Sequence, residues 1–118
     1  MDLYDAMSTL RAVRRLRPDP IDEATIERVL TAATWAPTGG NTQPWRIVAV
    51  TDAELKQALQ DLYKPHWDAY VPGYEARLDL MPEDAKSSSI KALDAGNYLA
   101  AHMHEAPLIA IFCFNPKL

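Results

Sequence analysis

Between residues 36 and 45 the chain reads Ala36-Pro37-Thr38-Gly39-Gly40-Asn41-Thr42-Gln43-Pro44-Trp45, a run of uncharged polar side chains interleaved with glycine and proline. A glycine pair lets backbone approach a ligand closely, and Thr38, Asn41 and Gln43 bring hydroxyl and amide groups that both donate and accept. Such a loop suits the edge of a flat polar heterocycle. Upstream, Arg11, Arg14, Arg15 and Arg17 concentrate positive charge. Guanidinium forks match phosphate oxygens bidentately and stay charged at any working pH. Together the two stretches read as a site for a nucleotide-like cofactor. The plainer alternative for the arginines is a solvated basic turn, or ion pairs to Asp19, Asp22 and Glu23.

Other chemistries lack support. There is no Ser-His-Asp order, no phosphate loop of the Gly-x-x-x-x-Gly-Lys type and no Gly-x-Gly-x-x-Gly fingerprint. His102 and His104 are two residues apart, which on a helix sends them to different faces, and no Cys or carboxylate pair completes a ligand set, so no metal is expected. The single cysteine, Cys113, lies in the apolar run from Leu108 to Phe114 and reads as a small buried hydrophobe in a strand. A net charge of −4 argues against a general binder of nucleic acid or anionic membrane, so the basic knot fits a local anion better than a polyanion. The chain shows neither the apolar core of a signal peptide nor the roughly 18 apolar residues in succession of a membrane helix, which makes a cytoplasmic location the default expectation.

The two stretches resemble the FMN-dependent nitroreductases. That family carries an Arg-Ser-x-Arg-Arg-Phe segment followed by proline, and later an Ala-Pro-Ser-x-x-Asn-x-Gln-Pro-Trp loop. The counterparts are Arg11-Ala12-Val13-Arg14-Arg15-Leu16 with Pro18 and Pro20, and the loop from Ala36 to Trp45, in which Pro37, Asn41, Gln43, Pro44 and Trp45 recur in register. The resemblance implies FMN as cofactor, with Arg11 and Arg14 holding its phosphate or ribityl end and Arg15 as a third cation. Ala12 stands where a serine hydroxyl usually helps, and Leu10 where another basic residue often occurs. In the family the Pro-Ser-x loop reaches flavin across a dimer interface, which places Pro37, Thr38 and Gly39 against cofactor held mainly by a partner subunit. Asn41 and Gln43 either fix the loop or meet the polar rim of the flavin. The implied activity is an oxidoreductase in which NAD(P)H reduces the flavin and the flavin reduces a flat, electron-poor acceptor such as a nitroaromatic or quinone. No titrating catalytic side chain is required, because the cofactor carries the electrons.

The elements that position these residues follow from caps and periodicity. Asp2 can cap a short first helix presenting Leu3, Met7 and Leu10 along one side, and Pro18 and Pro20 end that region. A second helix follows Asp22, with Ile26, Val29, Leu30 and Ala33 at helical spacing, and closes at Pro37. Trp45 to Val50 reads as a buried strand. Thr51, Asp52 and Glu54 start a third helix that runs toward Pro65. From Pro65 to Pro82 no period dominates, and the segment reads as an irregular or partly helical excursion in which Tyr70 and Tyr74 are candidate lid residues. A long helix is expected from Glu83 to His104, then a strand from Leu108 to Phe114. Trp45 reads as core more than as a cofactor contact.

With 118 residues and 48% apolar content the chain falls within the size of one domain. Two strands are too few to bury the second, apolar one. The class that the resemblance implies is α+β, nitroreductase-like, with helices on a mixed sheet completed by dimerisation or by a C-terminal half. Residues 1–118 are then the N-terminal portion of a single FMN-binding domain, working as a homodimer. The rival reading is a truncated, non-catalytic flavin-binding or interaction module.

Overall fold

The computed structural model describes residues 1–115. Four helices and two strands follow one another as α1 (Leu3–Thr9), α2 (Glu23–Thr34), β1 (Trp45–Val50), α3 (Ala53–Asp79), α4 (Glu83–His102) and β2 (Ile109–Phe114). Single 3-10 turns at Gly39–Asn41 and Met103–Glu105 precede the two strands. The first three helices start on the same device. Asp2, Asp22 and Asp52 each accept a hydrogen bond from the backbone N–H three residues on, at 2.9, 2.8 and 2.9 Å, satisfying a donor that the first turn leaves unpaired.

Strands β1 and β2 pair antiparallel from Trp45↔Phe114 to Val50↔Ile109, and the Asn115 amide donates to the Pro44 carbonyl at 2.8 Å, carrying the ladder past the strand ends. The sheet among the described residues is this antiparallel pair. Between its strands the chain makes an αα-hairpin of α3 and α4. Val50, Ala100 and Ala106 are buried where that hairpin meets the base of the sheet, and Leu93 and Leu78 are buried farther along the hairpin toward the turn between its helices. Lys56, on α3, is buried too and donates from Nζ to the Ala106 carbonyl at 2.7 Å. Gln60 Oε1 accepts from the His104 backbone N–H at 3.0 Å and lies 2.7 Å from its Nδ1, pinning the turn before β2 to α3.

Three sequence expectations are corrected. The segment from Pro65 to Pro82, expected to be irregular or partly helical, is helical as far as Asp79: α3 runs unbroken through Pro65 and Pro72 for 27 residues. Each proline removes one backbone donor and crowds the preceding turn, yet the helix continues, with Tyr63, Trp67, Tyr70 and Tyr74 at helical spacing along one face and successive ring centroids 6.3, 5.5 and 5.8 Å apart. Trp67 seats against Gly96, where an added Cβ would come within 2.4 Å of the ring, and its indole N–H donates to Asn97 Oδ1 at 2.8 Å. Tertiary packing thus outweighs the local rule. Strand β1 is not a buried strand, since Val48 is 48% exposed and only Val50 is buried. Cys113 is in the expected strand but exposed, because no element covers that face of β2 among the described residues.

Candidate functional site

The loop from Pro37 to Trp45 is held by its own side chains. Thr38 Oγ1 accepts two hydrogen bonds, from the Gln43 backbone N–H at 3.0 Å and from Gln43 Nε2 at 3.1 Å. Gln43 Nε2 also donates to Asn41 Oδ1 at 2.9 Å, and Gln43 Oε1 accepts from the Trp45 indole N–H at 2.8 Å. The backbone beneath is left-handed at Gly40 (φ 58°), Asn41 (φ 54°) and Gln43 (φ 48°). Glycine adopts that region freely and asparagine tolerates it, but a glutamine preceding proline does so under strain. The side-chain network offsets that strain.

The division of labour within the loop follows from donor and acceptor counts. Gln43 has both amide protons and its oxygen engaged, so it fixes the loop. A threonine hydroxyl has two lone pairs and one proton. With both lone pairs of Thr38 accepting, its proton is left to donate away from the loop. Asn41 likewise keeps its NH2 group, which makes no hydrogen bond among the described residues. Gly39 is exposed, with open space for 4 Å around the point where a side chain would begin, and Pro37 close by is exposed as well. The loop therefore presents a small, rigid face of neutral donors. Trp45 is half-buried and acts as the outer anchor of the network, a role that its strand position concealed.

The arginine segment lies elsewhere on the chain. Arg17 is taken up by Asp19 at 2.9 Å, and Asp22 is occupied with Thr25, whose hydroxyl and backbone N–H hold its carboxyl below the usual carboxylate range. Arg11 donates to the carbonyls of Ser8 and Leu10 at 3.1 and 2.7 Å, and Arg14 to that of Ala12 at 3.2 Å. Among the described residues Arg11, Arg14 and Arg15 have no carboxylate partner, so three positive charges stay uncompensated. Ala12, exposed between them, adds no side-chain donor. Arg14 is half-buried and lines a groove of about 490 Å³ with Tyr63, Trp67, Tyr70 and Tyr74 of α3 and with α4. The guanidinium of Arg15 lies over the Tyr98 ring, 4.0 Å from its centroid.

The structure brings Thr38, Asn41 and Gln43 together, and gathers Arg14 and Arg15 along α4. No hydrogen bond, ion pair or ring contact joins the two groups among the described residues. Tyr98 was missed by sequence reading, although Tyr98 and His102 stand four apart on a helix, the spacing that stacks side chains. His102 stacks on Tyr98, and its Nδ1 lies 3.1 Å from Glu105 Oε1. The described residues contain no cluster of His, Cys, Asp and Glu fit for a metal ion, and no helix long and apolar enough to cross a membrane.

The Nitroreductase family model matches residues 9–117, spanning both the arginine segment and the loop. The chain belongs to the nitroreductase family. It is 36% identical over 104 residues to a 5,6-dimethylbenzimidazole synthase of Rhodospirillum rubrum, an alignment covering 87% of this chain and 43% of that protein. Its fold is similar to that of an iodotyrosine deiodinase bound to FMN and 3-iodo-L-tyrosine, with a TM-score of 0.67 and 25% identity over 94% of this chain and 55% of the other. It is also similar to an FMN- and NADPH-dependent nitroreductase from Sphigopyxis sp. strain HMH, with a TM-score of 0.61 and 25% identity over 100% of this chain and 61% of the other. The nitroreductase-like α+β class expected from sequence stands, and the family is FMN-dependent. The chain spans less than two thirds of the length of these relatives.

Proposed function

We propose that this chain supplies the phosphate-binding arginines and the flavin-contacting loop of an FMN-dependent oxidoreductase, as the N-terminal portion of one domain. The observation that carries the reading is the pairing of an uncompensated arginine cluster with a rigid loop of outward-facing neutral donors. A dianionic phosphate fits the first, and the donating and accepting edge of an isoalloxazine fits the second. Within one chain the two stand apart, so the reading assigns the loop of one copy to the cofactor held by another, in a homodimer with two equivalent sites.

Each residue has a part in that arrangement. Arg11 and Arg14 bind the phosphate or ribityl end, with Arg15 as the third cation, while Ala12 leaves backbone alone at its position. Pro37 and Gly39 let the loop approach the ring closely, Thr38 donates its hydroxyl proton and Asn41 its amide protons. Gln43 holds all of them in register. The bound cofactor supplies two-electron transfer from NAD(P)H to a flat, electron-poor acceptor, and the protein orients both reactants and excludes water. No side chain need move a proton. A soluble, cytoplasmic setting goes with this reading.

The test is a visible absorption spectrum of the purified protein, with mass analysis of any released cofactor, followed by NAD(P)H consumption with a nitroaromatic and a quinone. FMN bands with acceptor-dependent consumption are expected. A colourless protein that takes up no added FMN sinks the proposal, and FMN without turnover leaves the non-catalytic flavin-binding module as the better reading.

A further inference from the structure

Residues 10–22 form no helix or strand, and α1 before them buries no residue, so the arginine segment has little regular structure to aim it. What fixes it must come from elsewhere in the chain. Arg15 is the member of the segment whose guanidinium lies over a ring, that of Tyr98 on α4, 4.0 Å from its centroid. The other arginines donate to nearby carbonyls or, for Arg17, pair with a near neighbour.

Tyr98 is itself supported. His102 stacks on the ring at a centroid distance of 4.2 Å with planes 19° apart. His102 Nδ1 lies 3.1 Å from Glu105 Oε1, in the 3-10 turn that Gln60 and Lys56 pin to α3. Guanidinium, phenol, imidazole and carboxylate thus form one column that ends at Glu105, in the 3-10 turn tied to α3. A guanidinium held over a ring by cation–π attraction still has N–H groups that can donate to an anion. A cation already held by a ring also loses less rotamer freedom when an anion arrives.

The geometry points to Tyr98 as the positioning residue of the anion site: it holds Arg15, and through Arg15 the neighbouring Arg14 and Arg11, so that their donors face a phosphate monoester. His102 and Glu105 hold Tyr98 in turn. This rests on the cofactor reading above and adds a specific claim to it. The ring acts on the phosphate end of the ligand and not on its heterocycle.

The experiment compares FMN with riboflavin, which lacks the phosphate, as probes of the full chain by quenching of flavin fluorescence. Tyr98→Leu is expected to weaken FMN binding about 3- to 10-fold, the range of an exposed to partly desolvated cation–π contact, and to leave riboflavin binding unchanged. Tyr98→Phe keeps the ring and restores FMN affinity. Arg15→Leu weakens FMN binding at least as much, since it also removes a cation from the phosphate, and adding Tyr98→Leu to it costs nothing further. Equal weakening of both flavins, or no change in either, overturns the inference while leaving the cofactor reading intact. A wild-type chain that binds neither flavin overturns both.

Discussion

Three hydrogen bonds converge on the Gln43 amide, and their removal tests how far the loop depends on one side chain. Gln43→Ala leaves a left-handed residue before Pro44 with nothing to offset its strain. The expected loss is about 1–2 kcal/mol of stability, from the exposed network and the strained backbone together, read as a lower midpoint in urea. An unchanged midpoint would mean that the network is incidental. Ala12 tests the opposite direction. Ala12→Ser supplies a hydroxyl beside the arginines, and one neutral hydrogen bond is worth about 0.5–1.5 kcal/mol, so FMN should bind several-fold more tightly by fluorescence titration. Asn41 and Gln43 were both ambiguous in sequence between fixing the loop and meeting a ligand. In the structure both join the loop network, Gln43 with no donor left over and Asn41 with its NH2 group making no hydrogen bond among the described residues.

At the scale of the element, α3 and α4 decide the shape of the hairpin. Gly96→Ala drives a Cβ to within 2.4 Å of Trp67, a ring also tethered through Asn97. Overpacking of this kind costs about 1–3 kcal/mol, and Trp67 should shift toward solvent, seen as lower thermal stability with red-shifted tryptophan emission. Helix α2 carries a pH dependence. The folded pKa of Asp22 is depressed, chiefly by the Thr25 hydroxyl. The cap therefore contributes fully above the ordinary carboxylate range and is lost as pH falls below about 4 through the lowered value. Asp22→Ala should lower stability at neutral pH and remove this part of the acid sensitivity. Equal acid sensitivity in variant and wild type, by circular dichroism between pH 2 and 6, would contradict the cap. The caps were legible because they act over three residues. The passage of α3 through Pro65 and Pro72 was not, because what opposes the proline penalty is Gly96 and Asn97, far along the chain.

The whole molecule is open. Its accessible surface is 9178 Å², where a self-contained fold of this mass exposes about 6,400 Å². Its radius of gyration is 17.6 Å, against about 13.5 Å for a compact domain of this length. Large apolar side chains contribute to it: Leu3, Met7, Leu10 and Val13 near the N-terminus and Phe112 and Phe114 on β2 are exposed. A surplus of more than about 2,000 Å² is of the size that an obligate subunit interface covers, and open strand edges invite pairing. Light scattering at micromolar concentration should therefore give at least twice the 13.2 kDa chain mass. A stable monomer would count against the shared site.

The sequence alone determined what depends on near neighbours: the aspartate-capped helix starts, both strands, the arginine segment and the loop with its family. These rest on propensities and hydrogen bonds spanning a few residues, or on residue types that the chemistry itself requires. Only the tertiary structure decided that α3 continues through two prolines, that Arg15 rests on Tyr98, and that Cys113 and much of β1 stand exposed. Each of those outcomes turns on which side chains meet in three dimensions. Burial and stacking energies belong to such meetings, and no local pattern records them.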